Sequence, residues 1–131
     1  MDETSLKDQS SGAAGRVETT NLELLARVLT PFLTRRFAND DTLSIRIKSA
    51  WDELRIDATH FEFYLDGPGR GARRQGNFSW FTSSLKGPRD EARRFYQQLS
   101  DTLLEGGIHH DITFCYDDED GEYIEEETVR R

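Results

Sequence analysis

The densest group of ionisable side chains is an acidic segment close to the C-terminus. Residues 111–127 contain nine carboxylates and no Lys or Arg. Carboxylates act as catalytic acids and bases when a few of them occupy apolar surroundings that separate their pKa values. Most of this group instead forms one run, DDEDGE at 117–122, and like charges that close together repel one another. The pattern therefore predicts a solvent-exposed surface and not a catalytic carboxylate pair.

The acidic run lies between two predicted strands, so it forms the tip of a hairpin. Its carboxylates would attract a basic protein, and neighbouring Tyr and Ile side chains would supply apolar anchors. The residues expected to contact such a partner are Tyr116, Asp117, Asp118, Glu119, Asp120, Glu122, Tyr123 and Ile124. An equally weighted alternative is that these charges only keep an edge strand soluble.

Metal ligands and nucleophiles are represented by His109, His110 and Cys115. Adjacent residues of a strand point to opposite faces, so the two histidines would not converge on one ion. The spacings CxxC, HxxxH and HExxH do not occur in the sequence. Aromatic and acidic neighbours of Cys115 would raise the pKa of its thiol, which disfavours a nucleophilic thiolate. We therefore expect no metal, no cofactor and no catalytic residue.

A basic segment provides the second candidate site. Residues 67–94 carry seven Lys or Arg against two acids, and the loop at 67–76 is also rich in glycine. A loop that binds phosphate normally leads into a helix N-terminus, whereas this one joins two predicted strands. The net charge of −8 also opposes binding to a polyanion. Nucleic-acid or anion binding is therefore the alternative reading, and its candidate residues are Arg70, Arg73, Arg74, Arg89, Arg93 and Arg94.

Apolar spacing predicts the elements that position these residues. A helix begins near Thr20, with a Thr-to-Glu capping box, and continues to Phe37 with a kink or a break at Pro31. Further elements are strands at 42–49, 60–65, 77–83, 111–116 and 123–129 and a helix at 88–105. These predict an α+β domain with an antiparallel sheet of about five strands in the order α-β-β-β-α-β-β. Two helices, or three if Pro31 divides the first, would cover one face.

The pattern of residues 42–55 fits two structures. Leu43, Ile45 and Ile47 alternate with polar residues as in a strand, yet Leu43, Ile47 and Leu54 also keep helical spacing. Because Ile45 and Ile47 are β-branched, we favour a strand over 42–49, followed by a turn or short helix at 50–55.

The first nineteen residues differ in composition from the rest. They contain Leu6 and Val17 as their only sizeable aliphatic side chains after the initiator, and their centre reads SSGAAG. Such a segment buries too little apolar surface to offset the entropy of ordering it. We therefore predict a disordered tail over 1–19, which is not a signal peptide, and a single domain over 20–131.

The expected setting is the cytoplasm. A single cysteine excludes an internal disulfide and fits a reducing compartment. No stretch approaches the roughly eighteen apolar residues of a membrane-spanning helix, so no membrane contact is expected. The oligomeric state is left open.

The function that fits these features is a non-catalytic protein-binding module whose partner has a basic surface. Inhibitors, immunity proteins, chaperones and adaptors belong to this class. In layout, size and acidity the chain is similar in outline to secretion chaperones that bind effector proteins and to small immunity proteins that neutralise toxins. Anion binding is the first alternative. The second is a small enzyme with a dispersed pocket, which a deep pocket holding His60 or His109 would indicate.

Overall fold

The computed structural model describes residues 10–48, 53–66 and 78–131, which form one antiparallel sheet and two helices. The elements are β1 (Ser10–Val17), α1 (Leu22–Arg36), β2 (Ser44–Lys48), β3 (Glu53–Ala58), β4 (Phe61–Asp66), β5 (Ser79–Lys86), α2 (Arg89–Glu105), β6 (His110–Asp117) and β7 (Tyr123–Arg130). The seven strands of the described residues lie in the spatial order β2-β3-β4-β5-β1-β6-β7. The predicted α+β class and antiparallel sheet are confirmed, whereas the count of five strands and the helix-first order are wrong.

Helix α1 is a single helix that continues through Pro31 to Arg36. Its N-cap is Asn21, whose side-chain oxygen accepts a hydrogen bond of 3.0 Å from the backbone N–H of Leu24. Asn21 therefore takes the role predicted for Thr20, because its carboxamide oxygen satisfies a free N–H of the first turn. The proposed break at Pro31 is wrong, since the loss of one backbone donor is offset by packing of the buried stripe. The stripe consists of Leu22, Leu25, Leu29, Phe32 and Leu33.

Helix α2 matches its prediction to within one residue. Its buried face repeats at helical spacing, with Ala92, Phe95, Tyr96, Leu99, Ser100 and Leu103 in the interior. Phe95 is the centre of an aromatic cluster and stacks against Phe32 of α1 at 5.4 Å between ring centroids. It also meets the ring of Phe61 on β4 edge-on at 5.2 Å. Both helices therefore cover the same face of the sheet, and the core lies between the two layers.

Strand β1 is an interior strand of the sheet, paired with β5 on one side and β6 on the other. The prediction of a disordered tail is therefore wrong for residues 10–17, while residues 1–9 lie outside the described residues. Glycine is required here because the neighbouring strands approach closely. A Cβ at Gly15 would lie 1.9 Å from the backbone oxygen of Asp111, and one at Gly12 would lie 2.4 Å from that of Ser83.

Strand β3 replaces the turn or short helix that was predicted for 50–55. Residues 53–55 belong to this strand, so that prediction is wrong for them, and residues 49–52 lie outside the described residues. Leu54 and Ile56 alternate into the core and are fully buried. The predicted strand at 42–49 is confirmed as β2, and the predicted hairpin of 60–65 with 77–83 is confirmed by the pairing of β4 with β5.

Candidate functional site

The acidic hairpin has a defined turn between β6 and β7. The carboxylate of Asp118 accepts hydrogen bonds from the backbone N–H groups of Asp120 at 2.9 Å and Glu122 at 2.8 Å. The backbone of Asp118 closes the turn, since its N–H donates to the carbonyl of Glu122. Gly121 adopts a φ of +80°, a conformation that residues with a side chain rarely adopt. Asp118 and Gly121 therefore fix the backbone from which the other carboxylates of the tip project.

The carboxylates at the tip are exposed and lack cationic partners. Asp117, Glu119, Asp120 and Glu122 are solvent-exposed, whereas Asp118 is half-buried. None of these five forms an ion pair with a cation of residues 10–48, 53–66 or 78–131. Their mutual repulsion is therefore relieved only by solvent and counterions in the described structure, which leaves them available to an external cation.

The three apolar anchors predicted for the hairpin do not form one surface. Tyr116 and Ile124 are paired across the strands on the side of the sheet that faces the helices. The Arg89 guanidinium lies 3.8 Å from the centroid of the Tyr116 ring, and the Tyr116 hydroxyl donates to Glu126 at 2.9 Å. That hydrogen bond is the first cause of a raised pKa of Tyr116. Tyr123, by contrast, is 61% exposed on the opposite face. Of the three predicted anchors, Tyr123 alone exposes most of its side chain on that face.

The basic candidates are partly engaged within the fold. The guanidinium of Arg93 bonds to Glu126 and to Asp90, and the bond from Arg93 is the main reason that the pKa of Glu126 is lowered. Arg89 is held against the ring of Tyr116. Arg94 is exposed and lines a shallow concavity of about 410 Å³ together with Arg36 and Glu91. The remaining candidates, Arg70, Arg73 and Arg74, lie outside the described residues.

The face of the sheet opposite the helices carries polar and aromatic side chains. Trp80 is 58% exposed and meets Phe78 edge-on at 5.7 Å. The guanidinium of Arg16 lies 5.1 Å from the Phe78 ring centroid and bonds to Asp111 at 3.0 Å. Sequence reasoning missed Arg16, because the segment that contains it was assigned to a tail.

Charges on this open face are balanced among the described side chains. Pairing registers place on it six cations, Arg16, Arg46, Lys48, Arg55, Lys86 and Arg130, and six anions, Glu53, Asp57, Glu62, Asp111, Asp117 and Glu125. A surface that binds nucleic acid combines aromatic side chains with an excess of positive charge. The described part of this face has the aromatic side chains but no excess of positive charge.

Ser100 and His110 form a buried pair that sequence reasoning did not identify. The oxygen of Ser100 lies 2.6 Å from Nε2 of His110, and Nδ1 of His110 lies 2.9 Å from the carbonyl oxygen of Ile108. Since a carbonyl only accepts, Nδ1 carries the proton and Ser100 donates to Nε2. The arrangement resembles a nucleophile with its base. However, Ser100 and His110 are only 1% and 2% exposed, so a substrate cannot reach them.

Folding stability is expected to fall as the pH decreases below about 6.5, because burial lowers the pKa of His110 from its ordinary value of 6.5. The unfolded chain then binds a proton that the folded chain excludes, so stability is complete above 6.5 and declines toward the folded-state pKa. Chemical denaturation from pH 8 to pH 5 measures this, with His110→Gln flattening the profile. An identical profile in His110→Gln would contradict the assignment.

The remaining histidines offer no alternative centre. His60 and His109 are exposed, and Nδ1 of His109 donates to the backbone carbonyl of Arg131 at 2.8 Å. Within residues 10–48, 53–66 and 78–131, no group of three or more His, Cys, Asp or Glu side chains is arranged to hold a metal ion. In the same ranges no helix has the length and apolarity needed to cross a membrane.

Similarity to known proteins supplies no further assignment. Comparison with protein-family models, with curated proteins and with solved structures finds no match to this chain.

Proposed function

We propose that this protein is a non-catalytic, cytosolic protein-binding module, of the kind represented by inhibitors, immunity proteins, chaperones and adaptors. The acidic hairpin, residues 116–124, contacts a partner that has a basic surface. The single observation that supports this most strongly is the combination of a fixed turn with carboxylates that lack ion pairs in the described structure. A rigid set of unneutralised charges attracts and orients a basic partner before contact, and it loses little entropy on binding.

Tyr123 complements these charges. Its ring is exposed at the first position of β7, next to the carboxylates of the turn. Tyrosine supplies a large contact area with few rotatable bonds, which is why it is enriched among residues that dominate binding energy. The proposed contact therefore has one aromatic anchor surrounded by negative charge, and Tyr116 and Ile124 support the hairpin from behind.

Neutralising the tip is expected to weaken partner binding without destabilising the domain. The variant replaces Asp117, Asp118, Asp120, Glu119 and Glu122 together by Asn and Gln. Stability should be unchanged or slightly higher, because like-charge repulsion is removed and the change Asp118→Asn retains the side-chain oxygen that closes the turn. Association with a basic partner should become slower and less sensitive to salt.

A matched control removes the same charge elsewhere. Five exposed carboxylates far along the chain from the hairpin are replaced in the same way: Glu18, Asp41, Glu62, Glu91 and Glu105. Proteins captured from lysate at low and high salt are compared for wild type, hairpin variant and control. Loss of one partner from the hairpin variant alone supports the proposal. Equal capture by all three proteins would mean that the acidic run only maintains solubility.

A further inference from the structure

The sheet ends in two edge strands of opposite charge. Strand β2 is five residues long and presents Arg46 and Lys48, whereas β7 is eight residues long and begins directly after the acidic turn. No further strand of the described residues pairs with either outer edge. An exposed edge can add a strand from another chain, and short charged edges resist this. Both edges carry charged side chains, so length separates them, and β7 is the edge with the greater capacity to accept a strand.

The backbone groups that β7 presents outward follow from its pairing with β6. Asp118 donates its N–H to the carbonyl of Glu122 at one end of this ladder, and Arg131 donates to His110 at the other. In antiparallel pairs, hydrogen-bonded and non-hydrogen-bonded positions alternate. Counting inward from each end places Tyr123, Glu125, Thr128 and Arg130 at non-hydrogen-bonded positions. Their N–H and C=O groups therefore point away from β6, toward the free edge.

The β-bulge in this strand preserves that arrangement. The register shifts between Thr113 and Phe114, so β7 has one additional residue at this point. Because of this additional residue, the positions that are not hydrogen-bonded to β6 have their side chains on the same face of the sheet in both halves of β7. The side chains of Tyr123, Glu125, Thr128 and Arg130 all lie on the open face.

The charge around this edge selects one kind of strand. Glu125 is exposed in the centre of β7, and it has no ion pair within the described residues. The carboxylates of Asp117 and Glu122 lie at the start of the strand. An added strand would place its side chains beside those of β7 on the open face, where opposite charges across strands stabilise the pair. Lys or Arg would fit opposite Glu125, and an acidic strand would be repelled.

We infer that the outer edge of β7 is a docking strand for an extended segment of the protein partner that alternates Lys or Arg with small or β-branched residues. The inference rests on the proposed function and specifies how the partner binds. Backbone hydrogen bonds to the outward groups of β7 provide the affinity, and the carboxylates of the hairpin select the basic segment. Tyr123 contacts the end of that segment nearest the turn.

A peptide pair of identical charge tests this mode of binding. The probe is acetyl-Thr-Lys-Val-Lys-Val-Lys-Thr-amide, and its matched copy is N-methylated at the backbone nitrogen of every residue, which removes all backbone N–H groups except those of the terminal amide. The methylated copy should bind about tenfold more weakly or worse, the loss expected from one or two hydrogen bonds. Amide exchange at Tyr123, Glu125, Thr128 and Arg130 should slow in the presence of the first peptide only. Equal affinities for the two peptides, or no binding of the first, would overturn the inference.

A substitution in β7 tests the same edge from the protein side. Thr128→Pro removes one outward N–H and no backbone bond to β6. Its control is Thr128→Val, which keeps that N–H and, like the proline, lacks the hydroxyl that contacts Thr113 at 3.1 Å. The proline variant should lose affinity for the peptide at least about tenfold, while the valine variant and the folding of both remain close to wild type. Equal binding by the two variants would overturn the inference.

The two proposals fail in different ways. If the lysate partner depends on the hairpin charges but binds Thr128→Pro normally, the docking strand is wrong and the proposed function stands. If neutralising the hairpin does not affect the partner, the proposed function fails. Self-association that disappears when Arg46 and Lys48 are replaced by Glu would show that β2 of a second copy occupies the edge, which would also overturn the inference.

Discussion

A chain that lacks residues 1–17 is expected to lose its cooperative unfolding transition. Strand β1 lies between β5 and β6, so its removal leaves each of them without a partner on that side and opens a gap of about 10 Å in the sheet. Val17 and Ala13, at 0% and 1% exposure, are lost from the core. Each ladder hydrogen bond contributes about 0.5–1.5 kcal/mol, and the whole domain is stable by only about 5–15 kcal/mol. Thermal and urea denaturation followed by circular dichroism measure the effect.

Three further variants distinguish the contribution of β1 from that of the residues before it. Deletion of residues 1–9 alone tests the remaining part of the predicted tail, and we expect the melting temperature to change little. Gly15→Ala introduces a Cβ at 1.9 Å from the backbone oxygen of Asp111, so it should destabilise strongly, whereas Ser10→Ala at the exposed start of β1 should not. A stable, cooperatively folded chain without residues 1–17 would show that β1 is dispensable.

Leu99→Ala is expected to cost about 2–5 kcal/mol of the free energy of unfolding, because it removes a fully buried side chain and leaves a cavity. Leu104→Ala is the matched control, since it makes the same chemical change on the same helix at a position that is 37% exposed. The control should lie within about 0.5 kcal/mol of wild type. Urea denaturation of the three proteins measures both values. If both variants lost the same free energy of unfolding, burial of the leucine side chain would not determine the loss of stability.

Helix α2 shows how much the sequence can predict when apolar residues keep one period. Ala92, Phe95, Tyr96, Leu99 and Leu103 repeat at helical spacing in the sequence, and all five are buried. The hairpins β4–β5 and β6–β7 were recognised for the same reason, because their side chains alternate between core and solvent. When one face of a helix or strand is buried, the spacing of its apolar side chains along the sequence shows which face it is.

Strand β1 shows where such a pattern fails. Its residues are mostly Ser, Gly and Ala, so no alternation of large apolar and polar side chains is visible. The strand is specified by its neighbours, which supply two sets of backbone partners and approach too closely for a Cβ at Gly12 or Gly15. Leu54 in β3 was misassigned for a related reason, because its distance from Leu43 and Ile47 also fits a helix. Local spacing cannot distinguish these cases without the pairing strand.

Part of the candidate site could likewise be predicted from the sequence, and part could not. The acidic run and its turn were visible in the sequence, because charge and a glycine between strands are local properties. Tyr116 and Tyr123 looked equivalent there, but the sheet directs Tyr116 toward α2 and Tyr123 toward solvent. The Ser100–His110 pair joins a helix to a strand, so only the fold reveals it.

The sequence by itself determined the α+β class, the helix over residues 89–105, the two hairpins and the polarity of charge. These depend on periods of 2 and 3.6 residues and on composition, which are set within short stretches of chain. Only the tertiary structure decided that Ser10–Val17 is an interior strand and that β7 is an outer strand of the sheet formed by the described residues. The physical reason is that strand order, exposed edges and the direction of a side chain are set by contacts between residues far apart in sequence.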